Sequence, residues 1–92
     1  MRQFLNMSEM VRSKDRLEAI NRTKQIRLDA NETAAEFGGF LGTSGSTIHR
    51  WENHADDACP SARHLFLMCH RLNKSPSWVI FGIGPKNLSD LI

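Results

Sequence analysis

The chain lacks most of the features that announce a chemistry outright. Its 92 residues hold no run of about 18 apolar residues, so nothing is long enough to span a bilayer. The opening stretch, MRQFLNMSEMVRSKDR, is broken by charge every few residues and has no apolar core of signal-peptide length. Cysteine is scarce. Cys59 and Cys69 stand ten apart, too few for a disulfide framework, and a reducing cytoplasm is the natural compartment. Cys69 falls among apolar residues, so free thiols are the better reading. No G-x-S-x-G, H-E-x-x-H, P-loop or glycine-rich nucleotide fingerprint occurs, and the His54–Asp56 pair has no nucleophile at a motif position. No enzyme is expected. His49, His54, Cys59, His64, Cys69 and His70 fall within 22 residues, yet only His49 and His54 have ligand-like spacing and no cysteine pair stands beside them. No metal and no cofactor are expected.

Net charge is also small, at +2. Residues 1–30 carry seven Lys/Arg against four Asp/Glu, residues 31–60 one against five, and residues 61–92 four against one. Any basic surface must therefore come from the two ends of the chain. By itself this balance is weak support for a nucleic-acid partner, which calls for a clustered basic face.

What is present is one small helical domain. Ninety-two residues support a single modest core, and 40% hydrophobic with 24% charged residues is a globular rather than a disordered composition. Residues 1–12 show no firm pattern and read as an N-terminal arm or an extra helical turn. From Ser13 the text turns helical, with Leu17, Ile20, Ile26 and Leu28 marking one side and Lys14, Arg16, Arg22, Lys24 and Arg27 the rest. Asp29-Ala-Asn31 breaks it. Thr33-Ala-Ala-Glu36 is a capping box that opens a helix to about Leu41, stopped by Gly42. Thr43 or Ser44 caps a helix running to about Asn53, and residues 54–60 read as a loop. Ser61 caps a helix with Leu65, Met68, Cys69 and Leu72 at i, i+3, i+4, i+7 spacing, closed by Asn73. Ser75-Pro76 starts a last turn through Trp78, Val79, Ile80 and Phe81 to Gly82. The expected fold is all-α, five helices around one core over residues 13–84. Residues 85–92 form a tail that serves as a linker or a dimer contact.

The informative stretch runs from Ala34 to Asn53. Two helices joined by Leu41-Gly42-Thr43 must cross steeply, which needs a small residue where the backbones meet and apolar residues facing inward from both. Gly38 supplies the first; Phe37, Leu41, Ile48 and Trp51 supply the second, and Gly42 lets the chain reverse. That is the mechanical requirement of a helix-turn-helix.

Here AAEFGGFLGTSGSTIHRWEN resembles the helix-turn-helix of the temperate-phage repressor class, with its pattern E-L-A…L-G-V-S…S-T-I…W-E-N. The continuation PSARHLFLMCHRLNKSPSWVIFGIG is similar to the phage-repressor N-terminal branch of the lambda-repressor-like fold, ending here in Trp78-Val-Ile-Phe-Gly82-Ile-Gly84. The likeness spans about residues 15 to 84. It implies that the helix from Ser44 to Asn53 lies in the major groove, with Gly45, Ser46 and Arg50 facing bases and Ser44, Thr47 and His49 near phosphate or groove. Arg22, Lys24, Arg27 and Arg63 are further phosphate candidates, while Glu52 is expected to pair with a first-helix cation such as Arg27. The chain departs from the pattern where Ala34 replaces a common Gln, Gly38 a small Ala, and His54 a glycine after W-E-N. Gly38 and the adjacent Gly39 each weaken their helix by roughly 1 kcal/mol.

The resemblance implies a transcriptional repressor of phage or prophage type in a bacterial cytoplasm, associated with the nucleoid. It would bind double-stranded DNA at a palindromic operator as a homodimer. The dimer contacts are sought among Phe81, Ile83, Leu88, Leu91 and Ile92. The alternative keeps the fold and changes the partner: a protein-interaction module or an antitoxin, favoured by the acidic middle segment and the paired glycines.

Overall fold

The computed structural model describes residues 14–55 and 58–91. The arm at residues 1–12, Asp56 of the His–Asp pair, and Ile92 lie outside the described residues.

Among the described residues five α-helices follow one another: α1 Lys14–Asp29, α2 Ala34–Phe40, α3 Gly45–Glu52, α4 Ala62–Leu72 and α5 Pro76–Phe81. A 3-10 turn, Leu88–Leu91, closes the described chain, and an isolated bridge between Lys74 and Asn87 is the only strand-like pairing among the described residues.

Local chemistry starts and stops each element. In α1, Asp15 lies in the first turn and Arg27 in the last, each suited to the helix dipole there. Asn31, at φ 59°, reverses the chain after α1 in a conformation asparagine tolerates. The capping box of α2 is formed in full: the Glu36 N–H donates to Thr33 Oγ1 at 3.1 Å, and the Thr33 N–H donates to Glu36 Oε1 at 2.8 Å. Ser44, Ser61 and Ser75 each accept from the third residue of the helix they cap. His64 completes a second box at α4, its Nδ1 accepting from the Ser61 N–H at 3.1 Å. Asn73 (φ 58°) and Gly82 (φ 70°) end α4 and α5 in the left-handed region.

The core is drawn from all five helices: Ile20, Ile26, Ala34, Phe37, Leu41, Ile48, Trp51, Met68, Cys69 and Val79. On α1 the buried stripe is Ile20, Thr23 and Ile26, and the Thr23 hydroxyl is satisfied by the Ile20 carbonyl at 2.7 Å. Leu28, expected on the apolar side, is instead 50% exposed, because helical spacing puts it off the stripe of Ile20, Thr23 and Ile26. On α4, Met68 and Cys69 are buried, with Leu65 and Leu72 half-buried on the same stripe.

The tail folds back rather than running on. The Ser75 N–H donates to the Lys86 carbonyl at 2.9 Å, and the Leu88 N–H donates to the Asn73 carbonyl at 3.0 Å. The Asn73 side chain clasps Ser89, accepting from its N–H at 3.0 Å and donating to its hydroxyl at 3.1 Å. Among the described residues no helix is long and apolar enough to cross a membrane.

Candidate nucleic-acid interface

The pair α2–α3 is closed by two glycines, one on each helix. A Cβ on Gly38 would lie 2.7 Å from both the carbonyl carbon and the oxygen of Ser44. A Cβ on Gly45 would lie 3.1 Å from the Cα and N of Ala35. The backbones are therefore in close contact: at Gly38 only glycine fits without a shift, and at Gly45 a Cβ would need its neighbours to give by a few tenths of an ångström. Between them Gly42, at φ 76°, turns the chain, and the Thr43 N–H donates to the Gly38 carbonyl at 2.8 Å. Phe37, Leu41, Ile48 and Trp51 fill the wedge and are all buried.

With Ile48 and Trp51 facing inward, Ser46, His49, Arg50 and Asn53 are left exposed on the opposite side of α3. Their i, i+3, i+4, i+7 spacing makes one continuous polar face. Asn53 had not been singled out from the sequence, although its place seven residues after Ser46 carried the signal. Gly45, expected at the bases, is half-buried, and a Cβ added there would meet Ala35. Its small size lets α2 approach. Ser44 Oγ accepts from the Thr47 N–H at 3.2 Å and lies 3.2 Å from Thr47 Oγ1, so this hydroxyl pair sits at the start of α3.

The cations divide into two groups. Arg22 is engaged inside the fold: its Nε donates to the Val79 carbonyl at 2.9 Å and its Nη2 to the Ile80 carbonyl at 3.0 Å. These are carbonyls of the last helical turn of α5, where a cation suits the dipole. Nothing in the local sequence announces this contact across 57 residues. Arg27 is engaged too. It grips both Glu52 oxygens, at 2.8 and 2.9 Å, and donates to the Glu32 carbonyl at 2.8 Å. The hydrogen bond to Glu52 raises the Arg27 pKa further above its ordinary value, with burial opposing. Lys24 on α1 and Arg63 on α4 are exposed.

These pairings dispose of much of the acidic middle segment. Glu52 is tied to α1 through Arg27, and Glu32 to α4 through Arg71 at 2.6 Å. Arg71 also lies 3.9 Å over the Phe40 ring. Glu36 is held in the α2 cap, where the Thr33 backbone N–H draws its pKa below the usual carboxylate value. The basic ends and the acidic middle of the chain thus close on each other.

The histidines and cysteines scatter. His54 ends α3 at φ 56°, the His64 ring packs 5.1 Å from Trp51, and His70 stacks on Phe66 at 6.0 Å. Cys59 is exposed; Cys69 is buried, and burial pushes its thiol pKa up.

The described chain is thus a compact all-α globule whose second and third helices form a glycine-locked pair with one polar outer face. Compared with known proteins, it matches no family model, no curated protein and no solved structure.

Proposed function

We propose that α2–turn–α3 is a helix-turn-helix and that the protein binds double-stranded DNA in a sequence-specific manner. The observation that carries this is the α3 helix itself. It is fixed by buried Ile48 and Trp51 and by the two glycine contacts, and it offers Ser46, His49, Arg50 and Asn53 outward with no role in the core. A rigid helix with one polar face fits the major groove, which is wide enough to admit it. Arg50 takes a guanine edge in bidentate fashion, a contact that discriminates by about 1–3 kcal/mol. Ser46 hydrogen-bonds to a neighbouring base, and Ser44, Thr47 and His49 face phosphates, with Lys24 and Arg63 adding charge from the flanks.

A single helix reads only a few base pairs. The protein therefore acts as a homodimer on a palindrome with half-sites about 34 Å apart, and represses by occupying an operator that overlaps a promoter. No cofactor enters this scheme. A second reading, binding to another protein as an antitoxin or adaptor does, is favoured by Phe66 and Phe81, exposed at 67% and 64%.

Selection from a random double-stranded pool, followed by titration at several salt concentrations, tests the proposal. The expected result is a recovered motif and an affinity that falls by about 0.9 log units per log unit of salt for each phosphate contacted. Recovery of no motif, with no DNA affinity even at low salt, would leave the protein-partner reading.

A further inference from the structure

Two phenylalanines stand in solvent where α4 passes the end of α2, with Phe66 67% and Phe40 56% exposed. Neither ring is loose. Phe66 stacks on His70, one turn further along the outer face of α4, with 6.0 Å between centroids and 18° between planes. The Arg71 guanidinium lies 3.9 Å over the Phe40 ring and is held there by Glu32, whose Oε1 accepts from Nη2 at 2.6 Å. Side chains fixed beforehand lose less entropy when a partner orders them. Arg63 comes three residues before Phe66 and is exposed on the same face, away from the buried Met68 and Cys69. No Asp, Glu or Lys occurs from Ala62 to Leu72. Aromatics and arginine without these residues are the composition of an interface centre, not of an ordinary solvated surface.

We infer that this surface docks a segment of another protein in which Asp or Glu is interleaved with apolar side chains. Charge decides the occupant. Among the described residues of the surface, two arginines stand against one carboxylate, Glu32, which leaves a positive excess that draws an acidic partner. A second copy of the chain would set the same charges against themselves, which is repulsive. Duplex DNA would answer the arginines and leave both phenylalanine rings without apolar contact. An acidic segment answers both, its carboxylates meeting the arginines and its apolar side chains covering Phe66 and Phe40. The surface contains no residue of the outer face of α3 and acts whether or not that face reads DNA. Arg63, a flank cation in the DNA reading, is left unchanged in the test.

The test selects short random peptides, displayed on phage, against the full chain. The peptides recovered should combine Asp or Glu with Phe, Leu or Ile. A synthetic copy titrated into the isotope-labelled chain should shift the amides of Phe40, Phe66, His70 and Arg71. Phe66→Ser and Arg71→Gln should each weaken it about tenfold, the loss expected at an interface hot spot, and added salt should weaken it further. Phe66→Ser should keep the duplex affinity of the unaltered chain. Exposed substitutions of this kind leave a fold intact, which circular dichroism checks, and should one variant fail to fold the other still decides. No enrichment, recovered peptides without acidic residues, or unchanged affinity in the folded variants would overturn the inference. So would shifts at the same amides caused by duplex DNA, or by the chain alone as its concentration rises, the mark of a second copy.

Discussion

Alanine placed at Gly38 and alanine placed at Gly39 should move stability in opposite directions. Both residues lie in α2, and replacing a helical glycine with alanine gains about 0.8–1 kcal/mol of helix propensity. At Gly39 no atom stands within 4 Å of the new Cβ, so most of that gain should appear, about 0.5–1 kcal/mol. At Gly38 the new methyl would lie 2.7 Å from the carbon and oxygen of the Ser44 carbonyl. Those are backbone atoms at the cap of α3 and cannot rotate away, so α3 must shift bodily. Overpacking of this kind costs about 1–3 kcal/mol, which outweighs the propensity gain and leaves a net loss of about 1 kcal/mol. Thermal and urea denaturation followed by circular dichroism read both values, and 1 kcal/mol corresponds to about 4–8 °C in a domain this small. The displaced α3 should also weaken DNA binding in Gly38→Ala and leave it intact in Gly39→Ala. A Gly38→Ala protein as stable as Gly39→Ala would refute the reasoning, and would mean the helix pair is looser than its geometry.

Other substitutions follow from the same contacts. Arg27 and Glu52 expose only 12% and 6% of their side chains, so Glu52→Ala leaves a half-buried guanidinium with the Glu32 carbonyl alone and should cost about 1–2 kcal/mol in a urea titration; no measurable loss would show the pair is solvated. His54→Gly should raise stability by about 0.5–1 kcal/mol, since His54 holds φ 56° at the end of α3 and leaves its buried Nδ1 without a partner among the described residues; a lower melting temperature would count against this. Glu36 has a pKa lowered from 4.5 by the Thr33 hydrogen bonds, so its contribution is complete at neutral pH and disappears as pH falls through the lowered folded-state value. The stability gap between wild type and Glu36→Gln should therefore shrink as the pH is taken below about 4.5, and a gap that holds constant to pH 3 would contradict the capping role.

How much of this was legible in the sequence depends on the range of the interaction. Caps are local, so Thr33 with Glu36, Ser61, Ser75-Pro76 and the stops at Gly42, Asn73 and Gly82 could be read from neighbouring residues, and each lies where it was expected. The wedge of Phe37, Leu41, Ile48 and Trp51 was legible because helical period and a short turn leave few other arrangements. Orientation at helix starts was not. Gly45 was expected at the bases, and its close approach to Ala35 is set by the crossing angle of α2 and α3, which no local pattern carries. Long-range pairings were hidden for a similar reason. Arg22 reads as one more surface cation until α5 brings the Val79 and Ile80 carbonyls to it. The clasp of Asn73 on Ser89 likewise has no local signature, so the tail's return to the α4–α5 junction was not foreseeable.

The central claim is that the outer face of α3 reads DNA sequence, and a gel-shift titration tests it most directly. The DNA is the region flanking the protein's own gene, with excess non-specific competitor, and the proteins are wild type and Arg50→Ala. A discrete shift that survives competitor and is lost in a normally folded Arg50→Ala protein is the result expected here. No shift, or one removed by competitor and indifferent to Arg50, would contradict the account and turn attention to a protein partner.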